Sequence, residues 1–209
     1  MRSLVLSVLL TAILALIFAL SIAGCDTALL VIDMQNLWVE TDGWLTIRDV
    51  DIVTAVATVV ASARSVGLPI LFVKDVSPDY ATEEQLDFPG EIDPQSGETV
   101  IEKTHRSAFA ETGLRQVLDT EGITRLLICG IASGACVSAT VNEARELDYE
   151  IVIIADAHSG GSNGKIAAFR NRMWMNWGIP VLLTEEIDFP TICAPAEPAP
   201  LNDSGALPL

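Results

Sequence analysis

The chain has 209 residues, enough for one domain with a sizeable core, and half of them are hydrophobic. Acidic residues outnumber basic ones 28 to 12, a formal net charge of −16. A surface of that sign repels phosphate backbones and excludes nucleic acid as a partner; it reads as a device for solubility.

The chain opens with Met1-Arg2-Ser3 and an apolar run from Leu4 to Ala23. One positive charge, an apolar stretch and small residues at its end read as an export signal. Ser21-Ile22-Ala23-Gly24-Cys25 resembles a bacterial lipobox, which makes Cys25 the expected site of lipidation. Residues 1–24 are therefore expected to be a signal peptide or membrane anchor. The body is then extracytoplasmic and membrane-anchored, because Arg2 favours the inner side. A mis-assigned start codon would leave it cytoplasmic instead.

From residue 25 to 189 the pattern alternates short β-rich runs with helical stripes. Strands are expected at Ala28–Asp33, Pro69–Lys74, Thr99–Lys103, Thr124–Gly130, Glu150–Ala155 and Pro180–Leu183. Most of these runs are continuously apolar, as in a parallel sheet covered on both faces. Helices are expected over Val50–Val66, Phe109–Leu118, Ala135–Leu147 and Lys165–Trp177. The alternation predicts an α/β fold, a three-layer α/β/α sandwich with a doubly wound, mainly parallel six-stranded sheet. The polar stretch Asp75–Gly97 reads as an irregular flap. Residues 190–209 are Pro-rich without periodicity and read as a disordered tail.

Ligands of such sheets bind beyond the carboxyl ends of the strands. Asp33 ends the first expected strand, Lys103 the third, and Cys136 follows the fourth at the first turn of a helix. A helix N-terminus favours thiolate, so the expectation here is a thiol with a lowered pKa. Asp33 can take its proton and Lys103 can stabilise the charges. The four cysteines suggest neither a disulfide framework nor a metal site. Trp38, Trp44, Tyr80, Arg106 and Phe109 are candidates for the substrate pocket, with Arg106 suited to a carboxylate. His105 and His158, the only histidines, are the alternative partners of a thiol.

Ala28–Gln35, Ile101–Lys103 followed by Ser107–Phe109, Gly130–Val137 and Ala155–Ala157 together resemble the isochorismatase-like cysteine hydrolase superfamily. The resemblance implies catalysis by Asp33, Lys103 and Cys136. It also implies an oxyanion hole from the N–H groups of Ala132 and Cys136, with a cis peptide between Ile131 and Ala132. Nicotinamidases of that superfamily bind a metal through an Asp-x-His after the second strand. This chain reads Asp75-Val76-Ser77 there, so no metal and no cofactor are expected. The expected activity is metal-independent hydrolysis of a small amide, carbamoyl or related C–N bond through a Cys136 thioester. A vinyl-ether hydrolase of isochorismatase type is the alternative, associated with members that lack the cysteine. A membrane-tethered binding or redox-sensing protein without turnover is the other. The relatives tend to form oligomers, so the implied partners are a small-molecule substrate and further copies of the chain.

Overall fold

A computed structural model describes residues 25–39, 52–160 and 164–192. Six strands form one sheet: β1 (Thr27–Ile32), β2 (Ile70–Asp75), β3 (Thr99–Lys103), β4 (Arg125–Ile131), β5 (Glu150–Ser159) and β6 (Val181–Leu182). Their order is β3-β2-β1-β4-β5-β6 and every pairing is parallel. The expected α/β sandwich with a doubly wound sheet is the observed one. The chain reverses its winding direction between β1 and β4, and that reversal opens a crevice at the carboxyl ends.

Helices cover both faces. In chain order they are α1 (Asn36–Val39), α2 (Ile52–Ser65), α3 (Glu83–Leu86), α4 (Leu114–Glu121), α5 (Cys136–Glu146) and α6 (Lys165–Asn176). On one face α2 packs Val56, Val59, Val60 and Ala63 onto Leu29, Val31 and Leu127. On the other, Leu118 of α4, Val141 of α5 and Trp174 of α6 meet Leu30, Ile128 and Ile153. β1 is buried along its whole length, which explains why its sequence does not alternate. Each fully buried aliphatic side chain contributes about 1.5–3 kcal/mol relative to exposure, so this double-sided core holds the sheet rigid beneath the crevice.

Some boundaries differ from the sequence reading. The helix expected at Phe109–Leu118 starts at Leu114. Ahead of it, Thr140 Oγ1 accepts the Ala108 N–H at 3.0 Å and Thr112 Oγ1 donates to the Ala108 carbonyl, so this stretch forms a turn. Glu111 in the same stretch has φ 56°, outside helical geometry. β5 runs on to Ser159, and β6 is only two residues long. Order continues past Pro190, because Phe189–Thr191 makes a 3₁₀ turn with Phe189 buried. The remainder of the expected tail, and the expected leader over residues 1–24, lie outside the described residues.

No helix among the described residues is long and apolar enough to cross a membrane. Cys25 is buried just ahead of β1, and nothing among the described residues supports the lipobox reading. Cys129 and Cys136 are free.

Candidate active site

Three strand ends and one helix start converge above the β1–β4 junction. Asp33 follows β1 with φ 51°, a left-handed conformation that costs a non-glycine residue energy and turns the chain out of the sheet. Its N–H donates to the Val73 carbonyl at 3.0 Å. Gly130, opposite Ile32, has φ 109°, and a Cβ there would sit 2.1 Å from the Ile32 carbonyl oxygen. Only glycine permits this approach, and it draws the turn bearing Cys136 against the end of β1. Lys103 ends β3 directly opposite Asp75 of β2.

The Lys103 ammonium is the hub. It lies 2.8 Å from Asp33 Oδ2, 3.6 Å from Asp75 Oδ2 and 3.6 Å from Cys136 Sγ, with its side chain fully buried. Donor atoms of Asp33, Asp75 and Cys136 lie within 4.8 Å of one another, a spacing that could also suit a cation. The ammonium already supplies positive charge to all three. Asp33 Oδ1 is buried without a hydrogen-bond partner, an acceptor left open beside the thiol.

Burial pushes the Asp33 carboxyl up to about 6, against the downward pull of Lys103. Burial alone would lower the Lys103 pKa, but attraction from Asp33, Cys136 and Asp75 outweighs it, so the lysine stays charged. Burial first, and the Asp33 charge second, push the Cys136 thiol up to about 12. The expected thiolate is therefore corrected to a resting thiol, held neutral beside an ionised carboxylate. Desolvation and the neighbouring Asp33 charge outweigh the downward pull of Lys103.

The turn from Gly130 to Val137 carries the N–H groups expected of an oxyanion hole. The Ile131–Ala132 peptide is cis. Ala132 accepts from the N–H groups of Ala135 and Val137, at 2.8 and 3.3 Å. Among the described residues, neither Ala132 nor Cys136 donates its own N–H to a backbone carbonyl. No side chain caps α5, so its first turn opens on the crevice.

A cavity of about 420 Å³ lies here, lined by Asp33, Trp38, Asp75, Arg106, Ala132 and Cys136 among others. It brings together Asp33, Cys136, Ala132, Trp38 and Arg106 as the sequence suggested, and His105, one of the two alternative partners of the thiol, also lies on its wall. Lys103 lies beneath it, behind the acids. Tyr80 is 65 % exposed and is not on the wall; Phe109 is buried against Tyr149. Trp44 lies outside the described residues. His158 is buried away from the cavity and bonds Ser133 and Asn171. Two participants were missed. Asp75 was read only as the start of a flap, and its pairing with Lys103 needs the β2–β3 register. Gln35 braces it: Oε1 accepts the Asp75 N–H at 2.8 Å and Nε2 donates to the Asp75 carbonyl at 3.0 Å.

A family model described as the Isochorismatase domain matches residues 27–186. Ureidoacrylate amidohydrolase RutB of Serratia proteamaculans is 29 % identical over 184 residues, spanning 68 % of this chain and 74 % of its own length. Streptothricin hydrolase of Streptomyces noursei is 32 % identical over 139 residues, 63 % of this chain and 49 % of that protein. The crystal structure of N-carbamoylsarcosine amidase from Thermoplasma acidophilum superposes with a TM-score of 0.67 at 26 % identity, covering 78 % of this chain and 99 % of that one.

Proposed function

The chain belongs to the isochorismatase family of hydrolases, and from that premise we propose that it is a metal-independent cysteine amidohydrolase acting on a small amide, carbamoyl or related C–N bond. The observation that carries this reading is the buried contact of one ammonium with both Asp33 and the Cys136 sulfur. It keeps a carboxylate ionised next to a neutral thiol, which is the arrangement for general-base attack.

As Sγ bonds to the substrate carbonyl carbon, its proton passes to Asp33 and the carbonyl electron pair moves to oxygen. The N–H groups of Ala132 and Cys136 receive that oxyanion. Collapse of the intermediate breaks the C–N bond, and Asp33 returns the proton to the leaving nitrogen. A thioester remains on Cys136. Asp33 then takes a proton from water, whose oxygen attacks the thioester. The second collapse breaks the C–S bond, and the departing sulfur recovers the proton from Asp33. Lys103 keeps its own proton throughout and balances whichever neighbour carries negative charge.

Two features favour the metal-independent form. The ammonium fills the charge role among Asp33, Asp75 and Cys136, and the nicotinamidase-type Asp-x-His is Asp75-Val76-Ser77 here. Arg106 on the wall suits a substrate with a carboxylate remote from the scissile bond, which the amidohydrolase relatives make reasonable as a class to assay.

The test is ammonia release from a panel of N-carbamoyl acids and small primary amides, with and without EDTA. Turnover in the wild type that resists EDTA and disappears in Cys136→Ala supports the reading. Turnover that survives Cys136→Ala, or that EDTA removes and zinc restores, overturns it.

A further inference from the structure

The oxyanion turn is held from behind by a buried polar chain that never touches the cavity. Ser133, next to Ala132, is fully buried with every polar atom engaged. Its N–H donates to the Ser159 carbonyl at 2.7 Å, its carbonyl accepts from Ser138 Oγ, and its Oγ lies 2.8 Å from His158 Nδ1. His158 Nε2 lies 2.6 Å from Asn171 Oδ1, and Asn171 Nδ2 donates to the Ala155 carbonyl at 3.4 Å. The His158 ring meets Trp174 edge-on, with centroids 5.3 Å apart.

The sheet is distorted to deliver this histidine. Ile128 of β4 pairs with Ile153 of β5, and then Gly130 pairs with His158. β4 advances two residues while β5 advances five, so β5 bulges and lifts His158 level with the oxyanion turn.

The bonds fix direction as well as place. A carbonyl oxygen can only accept, so Ala155 sets Asn171 Nδ2 as donor and Oδ1 as acceptor. Oδ1 then requires the hydrogen on His158 Nε2, which leaves a lone pair on Nδ1. Nδ1 in turn requires the Ser133 hydroxyl to donate. Burial lowers the His158 pKa, with Asn171 and the Asp156 charge opposing, so the imidazole is neutral as this chain of donors demands.

We propose that Ser133, His158 and Asn171 form a positioning relay that anchors the oxyanion turn to β5 and α6, aiming the Ala132 N–H at the site where the substrate oxyanion develops. The relay rests on the cysteine mechanism above and deepens it: none of its members lines the cavity, and each acts through the backbone of the turn. Its loss weakens binding of a tetrahedral oxyanion and leaves the reactivity of the thiol itself alone.

The experiment uses acetaldehyde, to whose carbonyl carbon the Cys136 thiol adds: the S–C bond forms, the C=O π bond breaks, and the thiol proton passes by way of Asp33 to the former carbonyl oxygen, which is seated in the hole as the hemithioacetal oxygen. Protection of Cys136 from iodoacetamide, read by peptide mapping, gives the aldehyde affinity. Alkylation without aldehyde needs no oxyanion hole and serves as the control. His158→Phe keeps the ring against Trp174 but cannot accept from Ser133. His158→Asn retains an acceptor at about the Nδ1 position. Deleting an oxyanion donor costs 10²–10³ in rate and misaiming one costs less, so His158→Phe and Ser133→Ala should each bind aldehyde about 30-fold more weakly. His158→Asn should recover most of that loss, and alkylation without aldehyde should stay within about twofold in all three, since the thiol and its charged neighbours are untouched. Unchanged aldehyde binding in the folded Phe and Ala variants would sink the relay alone, as would equal loss in the Asn and Phe variants. If His158→Phe fails to fold, Ser133→Ala and His158→Asn still decide. A wild-type Cys136 that aldehyde does not protect would sink the oxyanion hole, and the relay with it.

Discussion

Two thiols stand at opposite ends of one short segment, Cys129 inside β4 and Cys136 at the start of α5. Both are pushed up by burial. Cys129 is buried in the apolar core, and its thiol donates to the Leu30 carbonyl at 3.8 Å. Cys136 faces a cavity and has a buried carboxylate and an ammonium beside it. What separates them is therefore not acidity. Under the proposed mechanism it is the presence of a proton acceptor and of donors for the product of attack, and the mid-strand position offers neither.

The sharpest way to break that comparison is to remove the acceptor. Asp33→Asn keeps the shape of the side chain and should lower kcat about 10⁴-fold, as should Cys136→Ala; the double variant should be little worse, since groups acting as a unit lose activity together. Steady-state assays with circular dichroism as a fold control measure this. Near wild-type turnover in Asp33→Asn would erase the distinction between the two thiols.

Next is the ammonium. Lys103→Met leaves Asp33 buried and unpaired, which costs about 3–5 kcal/mol when the carboxylate stays charged. Protonation of Asp33 relieves part of this, so the variant should be inactive at neutral pH and destabilised less in acid. Urea unfolding at pH 5 and pH 8 compares the two. Equal destabilisation at both values would contradict the coupling.

The pH profile follows from the sign of the Asp33 shift. Its folded pKa is raised to about 6, so kcat/KM should fall as pH drops through about 6 and the base is lost. Stability runs the other way. The stabilising effect of the protonated form is fully present below the unfolded pKa near 4 and is lost as pH rises through about 6. Wild type minus Asp33→Asn, by denaturant titration across pH 4–7, isolates this contribution. The smallest effect belongs to the other thiol. Cys129→Ala should leave activity within about twofold and cost about 1 kcal/mol for the lost packing.

The sequence made the strands legible because both faces of this sheet are covered, and continuous apolar runs such as Ala28–Ile32 have no other easy explanation. Asp33, Lys103 and Cys136 were legible because each sits where a strand ends or a helix begins. Asp75 was not, since its pairing with Lys103 exists only in the β2–β3 register. The start of α4 was misread because Phe109–Gly113 has helical composition but is held as a turn by Thr140 from a distant helix. The thiol's protonation was not legible either: the local rule about helix termini takes no account of burial or of a carboxylate remote in sequence, and both push the thiol up. His158 gave no signal of a partner, because the β5 bulge that lifts it to Ser133 is a property of the ladder and not of the strand.

The central claim is that carbon–nitrogen cleavage passes through a covalent bond to Cys136. Rapid acid quench of a turning-over sample, followed by intact-mass spectrometry and peptide mapping, tests it most directly. The account predicts a mass increase equal to the acyl or carbamoyl group, located on Cys136, sensitive to hydroxylamine and absent from Asp33→Asn. Turnover with no adduct at any quench time under conditions that slow hydrolysis of the thioester, or an adduct on another residue, would contradict it.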